Sequence, residues 1–475
     1  MLNSKNKIKN GFVWSALDSF GNQSIALVIS LVLANLLGPS VYGLVAMLTI
    51  FIAIASVFVN SGFGSALIRK VDRNEKDYAT TFYFSLGVSV VCYLLLFLSA
   101  PLIASFYKQP ELVSLTRAIA LTIIIQTFAI IPRTKLSVTL DFKSQAVANF
   151  IAMLCSGTLG LILALNNYGV WALVTQQLTN ATISVIMLNL LSPWKPVEKF
   201  CRQAFKELFG FGSKLLLSSL IDTIYKNVYG LIIGKQFSAI QLGLFNQADK
   251  LSSVPATTLT GVIQKVTYPM LSAIQHDTKK LDATYLLTLK FATFIIFPVM
   301  FGISIIAKPL VDILLGPQWQ SSAEFISIIT MAFALYPIHA INLNMLQVKG
   351  RSDLFLKLEI IKKINLTIML FITVPISIKA MCIGMVICSY LALFINIYYT
   401  GKLSSITITK QITALIPIGL ITAISAFAGY MAGINVSSNI LQIATMLVVA
   451  LSTYIGIMLF VQRPLLITLK NTLKV

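Results

Sequence analysis

The chain has 475 residues, of which 57% are hydrophobic and 11% are charged, with a formal net charge of +20. Soluble domains average about 45–50% apolar and roughly 25% charged residues, so this composition excludes an ordinary soluble protein and predicts a multi-pass membrane protein. The five cysteines are scattered and form no CxxC pair, a pattern that predicts neither a disulfide framework nor a metal site.

Fourteen segments of about 20 mainly apolar residues are candidates for membrane-spanning helices. They begin near Gly11, Val41, Ala79, Val113, Gln145, Gly169, Phe209, Ala239, Leu281, Ser321, Leu354, Ala380, Lys410 and Ser438. The basic N-terminus runs into the first segment without a clear small-residue cleavage site, so we expect a retained helix. The connections are short and rich in turn-forming residues, as in "LGPSVYG" and "KQPEL", and leave no room for a soluble domain.

Lysine and arginine are concentrated in alternate loops. With the N-terminus inside, the cytoplasmic segments hold 24 of the 36 basic residues, and the outer turns hold only Lys108, Lys235, Lys308 and Lys379. This asymmetry predicts that both termini are cytoplasmic. The basic loops would face anionic lipid head groups, which explains most of the net charge without nucleic acid as a partner.

The sequence contains a weak internal repeat. "LLGPSVYGLVAM" (36–47) resembles "KQFSAIQLGLFNQ" (235–247), with Gly43 and Gly243 in matching places. We predict an N-terminal six-helix lobe (1–192), a basic cytoplasmic connection (193–208), a C-terminal six-helix lobe (209–401), and two further helices with a basic tail (402–475). A pseudo-two-fold axis along the membrane normal would relate the lobes, as in transporters that rock around a central site.

Three of the predicted helices carry polar side chains in mid-span, where a charge is costly and its presence indicates function. We predict that these side chains line a central, water-accessible cavity: Asp18, Asn22, Lys214, Asp222, Lys226, Asn246, Gln247, Asp249 and Lys250. The alternative is that the charged pairs only hold helices together. A second wall is predicted at Arg117, Lys290, Lys362 and Lys363, whose long side chains could instead reach the membrane surface.

A cavity with lysines beside carboxylates suits an anionic group such as a phosphate or pyrophosphate. The carboxylates either balance the charge of the empty cavity or bind a coupling ion, H⁺ or Na⁺. The chain has no G-x-x-x-x-G-K-[ST] phosphate loop, and its two histidines, His276 and His339, are isolated. We therefore predict a transporter that is not an enzyme and that has no catalytic residues, no cofactor and no metal site.

The stretch "LGLFNQADKLSSVPATTLTGVIQKVTYPMLSAIQHD" (242–277) resembles a signature of the Wzx-type polysaccharide transporter family. The matching features are a Gly-aromatic-Asn-x-Ala start, a mid-helix proline, and an end formed by Val266, Pro269, Leu271, Ser272, Gln275 and Asp277. "LANLLGPSVYGLVAM" and "GFGSALIRK" fit the second helix and following loop of that family. The family belongs to the multidrug/oligosaccharidyl-lipid/polysaccharide (MOP) flippase superfamily, so the resemblance implies an all-α integral membrane fold (MATE/MurJ-like) with about 14 transmembrane helices.

By this resemblance, the protein would be a flippase for polyprenyl-pyrophosphate-linked oligosaccharide repeat units in the bacterial plasma (inner) membrane. Its expected partners are that lipid-linked oligosaccharide, membrane lipids, a polysaccharide polymerase and the chain-length machinery. Two alternatives stay open. One is an ion-coupled multidrug or metabolite antiporter of the same superfamily, although lysines in the cavity disfavour cationic drugs. The other is a membrane polysaccharide polymerase or ligase, which the short outer loops disfavour.

Overall fold

In a computed structural model, the chain is helical across the described residues, 21–60 and 62–463, and contains no strand in these ranges. The all-α fold predicted from the sequence is therefore confirmed. The part of the first predicted helix that precedes residue 21, including the predicted cavity residue Asp18, lies outside the described residues. The end of the basic C-terminal tail, from residue 464 onward, does so as well.

The first of two compact units covers residues 1–246. Its described helices are α1 (Gln23–Asn60), α2 (Phe63–Arg69), α3 (Glu75–Tyr107), α4 (Leu112–Thr127), α5 (Ile130–Val138), α6 (Phe142–Leu165), α7 (Val170–Leu191), α8 (Arg202–Gln236) and the start of α9 (Ala239–Ala273). Two helical segments make up α1, because Gly38 has a φ of 77° and Pro39 follows it. Glycine adopts this conformation readily, and the break lies within the predicted turn "LGPSVYG".

The second unit covers residues 247–475. After the remainder of α9, its described elements are α10 (Thr278–Ile305), α11 (Ala307–Leu314), a 3₁₀ turn (Pro317–Trp319), α12 (Gln320–Phe333), α13 (Tyr336–Val348), α14 (Ser352–Thr373), α15 (Ile378–Leu403), α16 (Ile408–Gly433) and α17 (Asn439–Val461). Leu289 and Ile296 of α10 lie in a buried cluster with Ile338 of α13, Ile397 of α15 and Leu415 of α16. These apolar contacts hold α10 at the centre of the unit.

Among the described residues, eight helical segments are long and apolar enough to cross a membrane, or nine if the bent pair α4 and α5 forms one span. The chain is thus a multi-pass membrane protein, but the predicted count of fourteen helices is not confirmed. The difference has a physical basis in the sequence. Polar or charged residues lower the hydropathy of α7, α8, α9 and α14, and α1 contains two helical segments in one element.

The two compact units divide the chain between Asn246 and Gln247. Within the first unit, α8 packs against α1, α2 and α3. The predicted lobe limits, with a connection at 193–208, describe a sequence repeat and stay a prediction.

Gly43 and Gly243, which the sequence repeat aligns, lie at a close helix crossing within the first unit. A Cβ atom on Gly43 would overlap the backbone carbonyl of Ala239, and one on Gly243 would overlap that of Pro39. Gly43 thus lies against the residue four positions before Gly243, and Gly243 lies against the residue four positions before Gly43. A two-fold axis produces reciprocal contacts of this kind. Small residues are needed here because the two backbones touch.

Ion pairs tie α8 to the loop between α2 and α3. Asn74 and Asp77 form a capping box at the start of α3, in which each side chain accepts a hydrogen bond from the other residue's backbone N–H. The Lys70 Nζ lies 2.9 Å from Asp77 Oδ1 and 3.0 Å from Glu207 Oε2. Lys70 thus links a helix cap of α3 to the first turns of α8.

Candidate functional site

A polar cavity of about 360 Å³ lies inside the first unit, between α1, α2, α4, α5, α6 and α7. Its polar lining residues are Ser56, Asn60, Ser65, Gln126, Arg133, Thr134, Ser137, Asn149, Asn180 and Ser184. Polar side chains on membrane-spanning helices are costly unless they contact water, a ligand or one another. This cavity is therefore the candidate functional site.

A bent helix pair forms one wall of the cavity. The axes of α4 and α5 differ by 42°, and Gln126 and Arg133 lie on either side of the break. The break leaves backbone carbonyls without a hydrogen bond inside the helix. One of them, the Phe128 carbonyl, accepts a hydrogen bond from Asn189 Nδ2 at 3.2 Å. Irregular backbone at membrane depth is tolerated where it is buried in protein or lines a cavity, as it does here.

The break between α1 and α2 forms another side of the polar cavity. Gly62 begins α2 with a φ of 69°, in the left-handed region that favours glycine. A Cβ atom at this position would also meet the Gly212 backbone of α8 at 2.8 Å. Asn60 and Ser65 lie on either side of this break and both line the cavity, so both breaks contribute polar side chains to the cavity.

The lining combines one guanidinium with neutral hydrogen-bonding groups. Among the lining residues that the structure describes, Arg133 is the one charged side chain, and four amides and five hydroxyls accompany it. A guanidinium binds carboxylate or phosphate oxygens through two parallel hydrogen bonds. Amides and hydroxyls both donate and accept, as sugar hydroxyls do. The arrangement can bind a polar molecule that carries a negative charge.

The sequence did not predict this cavity. It did not single out Arg133, which the structure has on α5, one turn after a helix break. The other lining residues are single amides and hydroxyls in apolar helices, a pattern that carries little information by itself. The usable signal was in α7, where Asn180 and Ser184 are four residues apart and therefore share a helix face.

Those predicted cavity residues that the structure describes lie elsewhere, and none of these described residues is among the lining residues of this cavity. In the first unit, Asn22 is half-buried just before α1, and the side chains of Lys214, Asp222, Lys226 and Asn246 are exposed. In the second unit, Gln247 is buried, and Asp249 and Lys250 are half-buried. Their convergence on a single cavity stays a prediction.

The four residues of the predicted second wall have separate surroundings. The Arg117 guanidinium lies 4.3 Å from the centre of the Phe97 ring, and its Nε donates to the Phe97 carbonyl at 3.4 Å. Lys362 forms an ion pair with Glu359 at 3.1 Å. Lys290 and Lys363 are half-buried. Arg117 thus holds α4 against α3 through contacts that need no ligand.

The second unit has an apolar cavity of about 290 Å³ between α10, α16 and α17. Its lining residues are Pro298, Val299, Phe301, Gly302, Ile303, Ile306, Thr422, Ser425, Ala426, Leu447, Ala450, Leu451 and Tyr454. A cavity with so few polar groups suits a hydrocarbon chain, which gains by contact with apolar side chains.

A buried polar network joins four helices of the second unit. The Tyr285 hydroxyl lies 2.8 Å from both Asn342 Oδ1 and Gln411 Oε1, and Thr400 donates to the same Asn342 oxygen at 2.9 Å. All four side chains are fully buried. Such bonds between helices contribute to packing within a membrane.

His339 is also bonded within the second unit. Its Nε2 lies 3.1 Å from Ser389 Oγ, and its Nδ1 lies 3.1 Å from Asn396 Nδ2. Both ring nitrogens of His339 are therefore within hydrogen-bond distance of side chains of α15. His339, which looks isolated in the sequence, therefore connects α13 to α15.

Residues 32–324 match the family described as polysaccharide biosynthesis protein. The match covers more than half of the chain and includes all of the described residues that line the polar cavity. The chain belongs to this family. The resemblance stated from the sequence is thereby confirmed.

Individual relatives cover most of the chain. The teichuronic acid biosynthesis protein TuaB of Bacillus subtilis is 22% identical over 73% of this chain and 72% of TuaB. The lipopolysaccharide biosynthesis protein WzxC of Escherichia coli is 22% identical over 75% of this chain and 73% of WzxC.

The fold has a counterpart among solved structures. The lipid II flippase MurJ, in an inward closed conformation, aligns with a TM-score of 0.77 at 14% identity and covers 96% of this chain and 100% of MurJ. At this identity the likeness shows the fold alone. It confirms the MurJ-like membrane fold that the sequence resemblance implied.

Proposed function

We propose that this member of the polysaccharide biosynthesis protein family is a flippase for lipid-linked oligosaccharides. It moves polyprenyl-pyrophosphate-linked repeat units from the cytoplasmic to the outer face of the plasma membrane by alternating access, for the synthesis of a cell-surface polysaccharide. Its relatives TuaB and WzxC are named for teichuronic acid and lipopolysaccharide biosynthesis, and MurJ for flipping lipid II.

The observation that carries the proposal is the polar cavity between two helix breaks. A sugar pyrophosphate cannot cross hydrocarbon unaided, because removing its hydroxyls and charges from water costs several kcal/mol for each uncompensated group. The amides, hydroxyls and guanidinium of the cavity replace part of that hydration. Broken helices at substrate sites are typical of transporters that alternate between two openings.

The apolar cavity of the second unit supports the same proposal on separate grounds. A polyprenyl chain has no polar group to satisfy, and the lining of this cavity offers almost none. The two units therefore supply, each within itself, surfaces suited to the two chemistries of a lipid-linked sugar. The arginine of the polar cavity disfavours a drug-sized cation, because like charges repel.

Orientation, energy source and partners complete the proposal. The excess of basic residues in alternate loops supports cytoplasmic termini in a bacterial plasma membrane. Transport would need no cofactor and would use H⁺ or Na⁺ as the coupling ion. The flipped repeat unit would be passed to a polysaccharide polymerase and its chain-length machinery on the outer face.

The first experiment is a lipid extract from cells that lack this protein, analysed by mass spectrometry for polyprenyl-pyrophosphate sugars. A flippase predicts that the complete single repeat unit accumulates and that plasmid-borne wild-type protein removes it. A truncated glycan would instead indicate a glycosyltransferase. An unchanged lipid profile would contradict the proposal and favour an antiporter.

A further inference from the structure

The connection between α7 and α8, residues 193–201, has no helix or strand but is fixed to the first unit. Trp194 Nε1 donates to Glu75 Oε2 at 2.9 Å, and the backbone N–H of Cys201 donates to Thr80 Oγ1 at 3.0 Å. These two bonds hold both ends of the connection against the first two turns of α3.

The contacted part of α3 lies where a membrane-spanning helix ends. The helix α3 is long and apolar enough to cross a membrane, and its first turn carries the charged residues Glu75, Lys76 and Asp77. Charged side chains at the end of a span lie at the level of the lipid head groups, where tryptophan is also enriched. The Trp194 ring packs against Phe82, with the ring centres 5.4 Å apart, and so places the connection at this level.

The connection also presents apolar side chains to its surroundings. Val197 is 85% exposed and Phe200 is 48% exposed. Pro196 directly before Val197 fixes its own φ angle and stiffens the chain at this point. Apolar side chains at the membrane surface are removed from water when they insert between lipid head groups, which is favourable.

Basic residues alternate with this apolar pair. The exposed basic residues of the segment 193–206 are Lys195, Lys199, Arg202 and Lys206. The same segment has one acidic residue, Glu198, which is half-buried. Lysine and arginine near a membrane surface attract anionic lipids, and adjacent apolar side chains add to this attraction.

We propose that this segment docks on anionic phospholipid through a connection surface formed by Lys195, Val197, Lys199, Phe200, Arg202 and Lys206. The two apolar side chains insert between the head groups, and the four basic side chains contact lipid phosphates. Because the connection leads directly into α8, docking fixes the start of that helix at the membrane. The inference goes beyond the proposed function, since the residues of the connection surface line neither cavity.

An acidic protein segment is the other occupant that this charge would attract. Two observations favour lipid. The connection is bonded to the end of a membrane-spanning helix, so the lipid surface is always within its reach. Its apolar side chains stand between basic ones, a combination that is typical of segments lying in the interface between water and lipid.

Docking is measured by hydrogen–deuterium exchange of the full-length protein in nanodiscs, read on a peptide that covers residues 194–201. Three conditions are compared: phosphatidylcholine alone, equal parts of phosphatidylcholine and phosphatidylglycerol, and phosphatidylcholine with glycerol phosphate in solution. The variants are Lys195→Gln combined with Lys199→Gln, and Val197→Ser alone. The matched control combines Lys279→Gln with Lys280→Gln, because these lysines are also exposed and lie in the first turn of α10.

We expect the wild-type peptide to exchange at least about fivefold more slowly with phosphatidylglycerol than without it, since exchange then proceeds mainly from the undocked fraction. Raising the salt concentration should reverse much of this slowing, because salt screens exposed charges. Both connection variants should lose most of the slowing, and the control should keep it. Glycerol phosphate should have no effect, because it offers no apolar layer for Val197 and Phe200.

Four results would overturn the inference. One is equal exchange of the wild-type peptide with and without phosphatidylglycerol, as expected if the occupant is a protein. The others are full slowing in both connection variants, equal loss of slowing in the control, and slowing by glycerol phosphate as large as that by the lipid. Unchanged exchange of peptides from α3 verifies that the variants are folded. The nanodiscs contain no lipid-linked sugar, so the result does not depend on the flippase function.

Discussion

Replacing Lys70 by methionine tests how the first unit holds the loop between α2 and α3. Lys70 pairs with two carboxylates of very different exposure: the Asp77 side chain is 1% exposed and that of Glu207 is 51% exposed. The two ion pairs have nearly equal lengths, 2.9 and 3.0 Å. Any difference in their contributions to stability must therefore come from burial.

The burial of each carboxylate determines how much its ion pair with Lys70 is expected to contribute to the free energy of unfolding. At 2.9 Å, two unit charges attract by about 6 kcal/mol at an effective dielectric constant of about 20, but desolvation offsets most of this gain. Removing Lys70 leaves Asp77 charged and buried, which costs about 3–5 kcal/mol for a fully buried pair. Lys70 itself is 27% exposed, so we expect a value near 3 kcal/mol. Glu207→Gln should cost less than about 1 kcal/mol.

The assay is thermal and denaturant unfolding of the purified variants in the same detergent. A double variant, Lys70→Met with Asp77→Asn, serves as the matched control, because asparagine removes the stranded charge and its side-chain oxygen can still accept the Asn74 N–H bond of the capping box. We expect this double variant to recover most of the lost stability. Equal losses in Lys70→Met and Glu207→Gln, or no recovery in the double variant, would refute the reasoning from burial.

Three further predictions concern stability. The hydrogen bond to Asp77 raises the pKa of the Lys70 ammonium in the folded protein. The stability that Lys70 contributes should therefore be complete below the unfolded pKa of about 10.4 and should be lost as the pH rises through the higher folded pKa. Above that pH, the wild-type and Lys70→Met unfolding curves should converge. Gly43→Ala should cost about 1–3 kcal/mol in denaturant unfolding because its Cβ would meet backbone, whereas the control Gly87→Ala meets nothing within 4 Å and should cost nothing. Tyr285→Phe should cost about 0.5–1.5 kcal/mol in the same assay, and an unchanged midpoint would contradict a contribution from its buried hydroxyl.

The sequence predicted those parts of the fold that depend on local chemistry. Long apolar segments and basic loops identified a helical membrane protein, since both patterns are properties of consecutive residues. The repeat that aligns Gly43 with Gly243 also had a structural counterpart, because two backbones can touch only where side chains are absent. In the first case the pattern is visible in consecutive residues, and in the second it is visible in the internal repeat.

The candidate site could not be predicted in the same way. Asn60, Arg133 and Asn180 come from three helices far apart in the chain, and each is one polar residue in an apolar or basic stretch. The sequence pattern favoured Asp222 and Lys226 instead, because a charge in mid-span is a stronger signal than a single neutral polar residue. A charge count also cannot tell a loop arginine from one on a short helix after a break, which is where Arg133 lies.

The distribution of charge within the first unit fits a transporter that must release what it binds. Several lysines and carboxylates would hold an anion strongly and would make the empty cavity costly in a low-dielectric surrounding. The described residues of the polar cavity instead include one guanidinium and nine neutral polar side chains. Neutral groups exchange sugar hydroxyls for water at little net cost, since a typical hydrogen bond contributes only about 0.5–1.5 kcal/mol net. One strong contact with many weak ones would allow binding without tight retention, which alternating access requires at every cycle.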